Sequence, residues 1–426
     1  MSFQTGLSGL NASSRNLDVI GNNIANANTI GMKSSRAEFA ELVTSNLGAG
    51  GGGGSGIGVS VATVSQQFSQ GSINMTGNNL DVAINGGGFF ELTRPDGSAV
   101  FTRDGEFKLD KDGFIKSNGN ANVLGYKIDS TGKPIIGDKP TPLQLPTSAP
   151  IAAKPTSTIT AEFNLDSRAV VAASVTPVTP RTTYGTSLTA YDSQGAPVPV
   201  SLYFERVAST GVAPNITDNW NVYDVSTGGA APDALVPPTQ GAAGTAGFRF
   251  QMQFDASGKL ISPATSPTLS ISTPSVVTPN ITATLDISKV TQFGSAFAVS
   301  NLTQNGYAPG ELTSLKIGKD GVITASYSNG QSQAAGQIAL ADFRNVQGLS
   351  PTGGGNWVET SASGQPVQGS PGSGKFGALT SGALEDSNVD LTAELVNMMT
   401  AQRAYQANAQ TIKTQDQVMT TLVNLR

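Results

Sequence analysis

The last stretch of the chain, LTAELVNMMTAQRAYQANAQTIKTQDQVMTTLVNLR from Leu391 to Arg426, holds neither Pro nor Gly and reads as one long helix. Its apolar seam runs through Leu391, Leu395, Met398, Tyr405, Ala409, Ile412, Met419 and Val423, broken by polar Gln402 and Asp416. A single amphipathic helix is marginal in water because it cannot bury its own stripe. It needs a partner, and the other clear helical pattern lies at the opposite end. There Phe3, Leu7, Leu10, Ser14, Leu17, Gly21 and Ile24 alternate steps of four and three, a heptad seam. The economical solution pairs the terminal helices as a coiled coil with everything else looped out between them. Two helices still leave apolar surface exposed, so the pair is expected to pack against copies of itself. A second solution, in which both helices cap a β domain, fits the same pattern.

What lies between reads as strands. In GFRFQMQF, Phe248, Phe250, Met252 and Phe254 alternate with Arg249, Gln251 and Gln253, whose face is expected to see water. In ITATLDIS, Ile281, Ala283, Leu285 and Ile287 alternate with polar residues in the same way. The turns share a chemistry: Asp104, Asp110, Asp129, Asp192, Asp255 and the KDGV at Lys319 each place an acidic residue before a Gly able to take positive φ, the hairpin signal. The Gly-rich tract Gly48 to Gly58 is too poor in side chains to pack and reads as a flexible connector. Pro-rich stretches from Asp138 to Ser157 and from Ser266 to Asn280 read as crossings between β domains.

The expected fold class is therefore mainly β with α-helical termini, in discontinuous nested domains. Residues 1–30 and 383–426 form the helical domain, and 31–70 with 353–382 a connector. Residues 71–150 with 290–352 form an inner β domain, and 151–289 an outer one.

Chemistry of the catalytic kind finds no footing. The 426 residues include no His and no Cys, which removes the commonest general base and metal ligand together with thiolate sites. GSPGSGKF, Gly369 to Phe376, has phosphate-loop spacing, but Phe376 stands where a magnesium-binding hydroxyl is needed and no apolar strand precedes it. DKDG at Asp110 lacks the closing Glu of a calcium loop. Ser nucleophiles have no activating His. No catalytic, cofactor or metal residues are expected, and no enzyme. A net charge of -5 without Lys/Arg clusters argues against nucleic acid and against anionic membranes. No run is long enough for membrane insertion, and the N-terminus lacks the pattern of a cleaved secretory signal.

LSGLNASSRNLDVIGNNIANANTIGMKSS, LDVAINGGGFFEL, FTRDGEFKLDKDGFI, NLTQNGYAPGEL and the whole C-terminal stretch from GALEDSNVD onward resemble the bacterial flagellar rod and hook family. The length and the large block from about Pro150 to Lys289 resemble its hook members, because its rod members are much shorter. The resemblance implies a subunit of a curved, flexible tube that acts as a universal joint, carries torque from rod to filament and encloses an export channel. It implies location in the hook, outside the cell and attached to the basal body, and export by the flagellar type III apparatus. The implied partners are further copies of the chain, then rod, hook cap and hook–filament junction proteins. The inter-subunit packing residues are then Phe3, Leu7, Leu10, Leu17, Ile24, Leu391, Leu395, Met398, Tyr405, Ile412, Met419 and Val423. A rigid distal rod protein is the alternative, favoured if the block from Pro150 to Lys289 is a loop; a secreted β-domain adhesin is a remoter one.

Overall fold

A computed structural model describes residues 2–43, 56–129, 132–135, 137, 139–146, 150–174, 179–212, 216–224, 247–273 and 277–424. Most of the Gly48 to Gly58 tract lies outside these residues. Two helices bracket the strands as expected: α1, Ser2–Ala25, and α2, Leu391–Asn424. Asp390 caps α2, its Oδ1 accepting from the amides of Thr392 and Ala393. Glu394 adds a negative charge to that first turn, where the helix dipole favours it.

The chain divides into two compact units, one of residues 1–148, 313–326 and 332–426, the other of 149–312 and 327–331. In the first, an antiparallel sheet runs in hydrogen-bonded order Ser332–Ile338, Asn122–Tyr126, Phe89–Thr93, Ala99–Thr102, Asn356–Val358, Ser350–Gly353. One face buries Val82, Phe90, Leu92, Phe107, Val123, Ile323, Ile338 and Leu340. Another cluster holds Phe89, Phe101, Phe343 and Trp357 in edge-on contacts. A separate hairpin, β1 at Ser35–Val43 and β2 at Gly56–Gln66, pairs Ala37 with Val64 and Phe39 with Val61.

The second unit is two five-stranded sheets sharing one core. Thr158–Asp166 sits inside the first sheet, parallel to Ile281–Asp286 and antiparallel to Ala298–Gln304. The other sheet is an antiparallel run from Gly185–Tyr191 to Leu260–Ser262. Alternate residues of both, among them Ile159, Phe163, Val200, Phe204, Trp220, Met252, Phe254, Ala283 and Leu285, meet between them.

Several expectations change. Residues 290–312, assigned to the inner β domain, belong to the second unit, because Thr291–Phe293 and Ala298–Gln304 pair with Thr158–Asp166. The 353–382 segment is not a bare connector: Asn356–Val358, Val367–Gly369 and Ala378–Ser381 are strands of the first unit. The Pro-rich stretch Ser266 to Asn280 does not cross between units. Its Thr268–Ile271 is an edge strand of the second unit, where Pro residues flanking it disturb no ladder. Gln251 is half-buried: its Nε2 donates to Asn221 Oδ1, while Gln253 donates to its Oε1.

The turn chemistry holds at five of six sites. Gly113, Gly132, Gly195, Gly258 and Gly321 all take φ between +78° and +83°. Gly105, after Asp104, is needed for another reason: a Cβ there would stand 1.7 Å from Val82 O.

Candidate assembly surface

The terminal helices run antiparallel, with Gly6 against Ile412, Gly9 against Asn408 and, at the other end, Asn23 Nδ2 donating to Glu394 Oε1. Small residues let the backbones approach: a Cβ at Gly9 would lie 2.9 Å from Asn408 Nδ2, and Asn408 Nδ2 in turn donates to Ser13 Oγ at 3.4 Å. Ala12, Ile20 and Ala401 are buried on the packed faces. Helix α1 also lies on the hairpin, where Ser8 Oγ accepts from Val59 N and Gly58 leaves room for the Ser8 side chain. The pairing expected from the sequence and the capping alternative are thus both present in part.

The face that α1 turns to these neighbours is not the apolar seam. Its closest contacts, Gly6, Gly9, Ser13 and Asn23, and the buried Ile20 each lie one residue before a seam position, and buried Ala12 lies two before one. One residue is about 100° of helix rotation. The seam is therefore left to the side, and Leu7, Leu391, Leu395, Tyr405 and Met419 are 37–61% exposed. Leu10, Leu17, Ile24, Met398 and Ile412 are half-buried, Ile412 being the one set against Gly6. Phe3 and Val423 lie within the helices, with side chains outside those described. Val396, Met399 and Val418, which the seam omitted, are exposed beside it. Gly21, a seam position, has nothing within 4 Å of where a Cβ would stand. Fully burying a Leu or Met side chain is worth roughly 1.5–3 kcal/mol, so this stripe is a source of association energy that the single chain does not use.

Where the helices leave the β body, polar side chains bind the exits together. Asn23, almost fully buried, receives Ser35 N on its Oδ1 and donates to Ser35 O. Asn388 accepts from Ser34 N at 2.7 Å and donates to Gln67 O at 2.7 Å. Below them Lys33 Nζ donates to Glu385 Oε1 at 2.6 Å and to Ser69 O at 2.8 Å. Arg103 Nη1 donates to Glu385 Oε2 at 3.1 Å, and its Nη2 to Gly86 O. Burial holds both cations below their usual pKa values, with Glu385 opposing that effect. Gly31, at φ +69°, lies against the backbone of Arg103 and Asp104, too close for any Cβ. Burial pushes the Asp104 carboxyl up to about 6, while its Oδ1 accepts from Glu106 N. The base of β2 is fixed by Trp357 Nε1 donating to Gln66 Oε1, and Phe68 stacks edge-on to Phe89.

None of Lys33, Arg103, Glu385, Asn23 or Asn388 is legible as a site from spacing, since the triad joins residues up to 352 apart in sequence. A usable signal was present nonetheless: TIGMK, FTRDGEF and GALEDSN each set Lys33, Arg103 or Glu385 within three residues of a glycine in an otherwise weakly charged chain.

Four family descriptions match in order along the chain. "Flagella basal body rod protein" covers residues 3–33, "Flagellar hook protein FlgE/F/G D1 domain" 83–160, "Flagellar basal body protein FlaE D2 domain" 164–307, and "Flagellar basal body rod FlgEFG protein C-terminal" 380–425. Among curated relatives, the flagellar hook protein FlgE of Salmonella typhimurium is 40% identical over the whole of both chains. That of Escherichia coli is 39% identical over the same span, and that of Treponema pallidum 33% over all of this chain and 99% of its own. A crystal structure of the Helicobacter pylori hook protein FlgE2 shares the fold at TM-score 0.53 and 14% identity, covering 72% of this chain and 98% of the other.

Proposed function

Because this chain belongs to the flagellar hook protein family, we propose that its exposed terminal seam is the surface on which successive hook subunits pack. The chain is a structural subunit of the flagellar hook, and its family is structural rather than enzymatic. The rod alternative is not favoured: the relatives are hook proteins, and the block from Pro150 to Lys289 is a folded two-sheet unit, not a loop.

The observation that carries the packing proposal is the apolar stripe left to the side of the intrachain helix contact. An interface joining one face of a subunit to a different face of the next does not close and builds a helical polymer. Leu7, Leu10, Leu17, Ile24, Leu391, Leu395, Met398, Tyr405, Ile412 and Met419, with Phe3 and Val423 at the ends, form a dry inner layer around an export channel. Polar outer contacts between neighbouring β units can exchange water-bridged partners at small cost, which suits a curved tube that rotates as a universal joint and passes torque from rod to filament. Export by the type III apparatus and contacts with rod, cap and hook–filament junction proteins belong to the same reading.

Leu395→Asp tests it. A carboxylate buried without a partner costs several kcal/mol at each repeated contact, so secreted, folded Leu395→Asp protein should not polymerise. Thr189→Asp, at an exposed position on an edge strand, should polymerise normally. Electron microscopy of the product, circular dichroism of the monomer and the secreted amount together separate assembly from folding and from export. Normal hooks from Leu395→Asp chains would remove the terminal helices from the inner layer.

A further inference from the structure

Two cations share one carboxylate inside the first unit, and the imbalance says what the junction does. The side chains of Lys33 and Glu385 are fully buried and that of Arg103 nearly so. Besides the two cations, Glu385 takes Gly71 N on Oε1 at 2.9 Å and Gly31 N on its backbone carbonyl at 2.7 Å. One residue thus gathers the exit from α1, the end of the hairpin, the Arg103 loop and the approach to α2. Arg103 has little else to satisfy it: its Nε is buried without a hydrogen bond, its guanidinium sits over the Phe89 ring at 5.3 Å from the centre, and Asp342 attracts it more weakly than Glu385 does. A buried ion group of this kind is a weak source of net stability, but removing its single anion is severe. What it supplies is one allowed geometry.

We propose that Glu385 is a shared anchor that fixes the directions in which both terminal helices leave the β body, so that each exit segment is ordered only when the other is in place. Lys33 and Arg103 are its positioning residues. The three charges, at residues 33, 103 and 385, tie segments 31–36, 69–71, 103–104 and 385–390 together, so these segments move as one body and bending of the chain occurs elsewhere. This consequence for the hook rests on the reading above; the anchor itself is tested without polymer.

The test uses the monomeric full-length chain with Lys33→Met, Glu385→Gln and the double variant, followed by amide hydrogen exchange and thermal unfolding. Glu385→Gln leaves two cations facing each other. Exchange should accelerate about ten- to a hundredfold in residues 30–36 and 69–71 together, and the unfolding midpoint should fall. Lys33→Met leaves a matched Arg103–Glu385 pair, so residues 30–36 and 385–390 should loosen together, by less than in Glu385→Gln, while the midpoint stays near that of the parent. In the Glu385→Gln background, Lys33→Met should raise the midpoint, because it removes one of two uncompensated cations. A midpoint lowered equally by Lys33→Met in both backgrounds would reduce Lys33 to packing and overturn the proposal. So would unchanged protection of residues 30–36 in Glu385→Gln. Should Glu385→Gln fail to fold, the double variant must still fold; its failure also overturns the proposal.

Discussion

Asp104 shows how closely the α1 exit is fitted to the β body. Its carboxyl titrates near 6 instead of 3.8 because burial penalises the charged form, with Glu106 and Asp81 nearby adding repulsion. The folded state therefore binds a proton more tightly than the unfolded state between about pH 4 and 6, and stability attributable to Asp104 falls as pH rises through that window. Asp104→Asn should remove this dependence, and above pH 6 should gain up to about 3 kcal/mol relative to the parent, since Asn can still accept from Glu106 N. Denaturant unfolding of both chains at pH 4.5 and 7.5 checks it: the difference between them should be full at the higher pH and shrink to about a third at the lower. Residue-scale features of this kind divide sharply in legibility. The Asp-before-Gly turns could be read directly, because one residue's φ and a neighbouring carboxylate decide them. The burial of Asp104 and the triad at Glu385 could not, because they depend on which distant segments come together.

At the scale of elements, the two helices were legible from periodicity, and so was their need for partners. What periodicity could not give was which face each helix turns to the other. The seam holds the larger apolar side chains, yet the intrachain contact uses Gly6, Gly9 and Ser13, because close backbone approach demands small residues while leucines can be left for a neighbour. Two glycine substitutions separate these roles. Gly21→Ala meets nothing within 4 Å and should raise monomer helicity, worth roughly 0.5–1 kcal/mol. Gly9→Ala collides with Asn408 and should weaken the helix pair instead; circular dichroism of the two chains should move in opposite directions. A helix pair this sparingly covered is only marginally stable alone and opens readily. Limited proteolysis of dilute monomer should remove most of α1 and α2 and stop at a body that retains Lys33 and Glu385. Survival of intact helices in a proven monomer would contradict this.

For the whole molecule, the nested order of helix, β units and helix was visible in the sequence because periods of 3.6 and 2 alternate cleanly along it. The boundary of the second unit was not: Ala298–Gln304 reads like any strand, and only its pairing with Thr158–Asp166 assigns it. As proposed above, the stripe on α1 and α2, exposed in one chain, is covered by other copies in the hook. The chain has no cysteine, so a single introduced thiol reports on one position alone. Leu395→Cys and Met419→Cys, both at exposed positions of α2, can be treated with a maleimide as monomer and again after polymerisation. Both thiols should be modified rapidly in the monomer and strongly protected in the polymer. Equal reactivity in the two states, in polymers of normal appearance, would contradict the proposal.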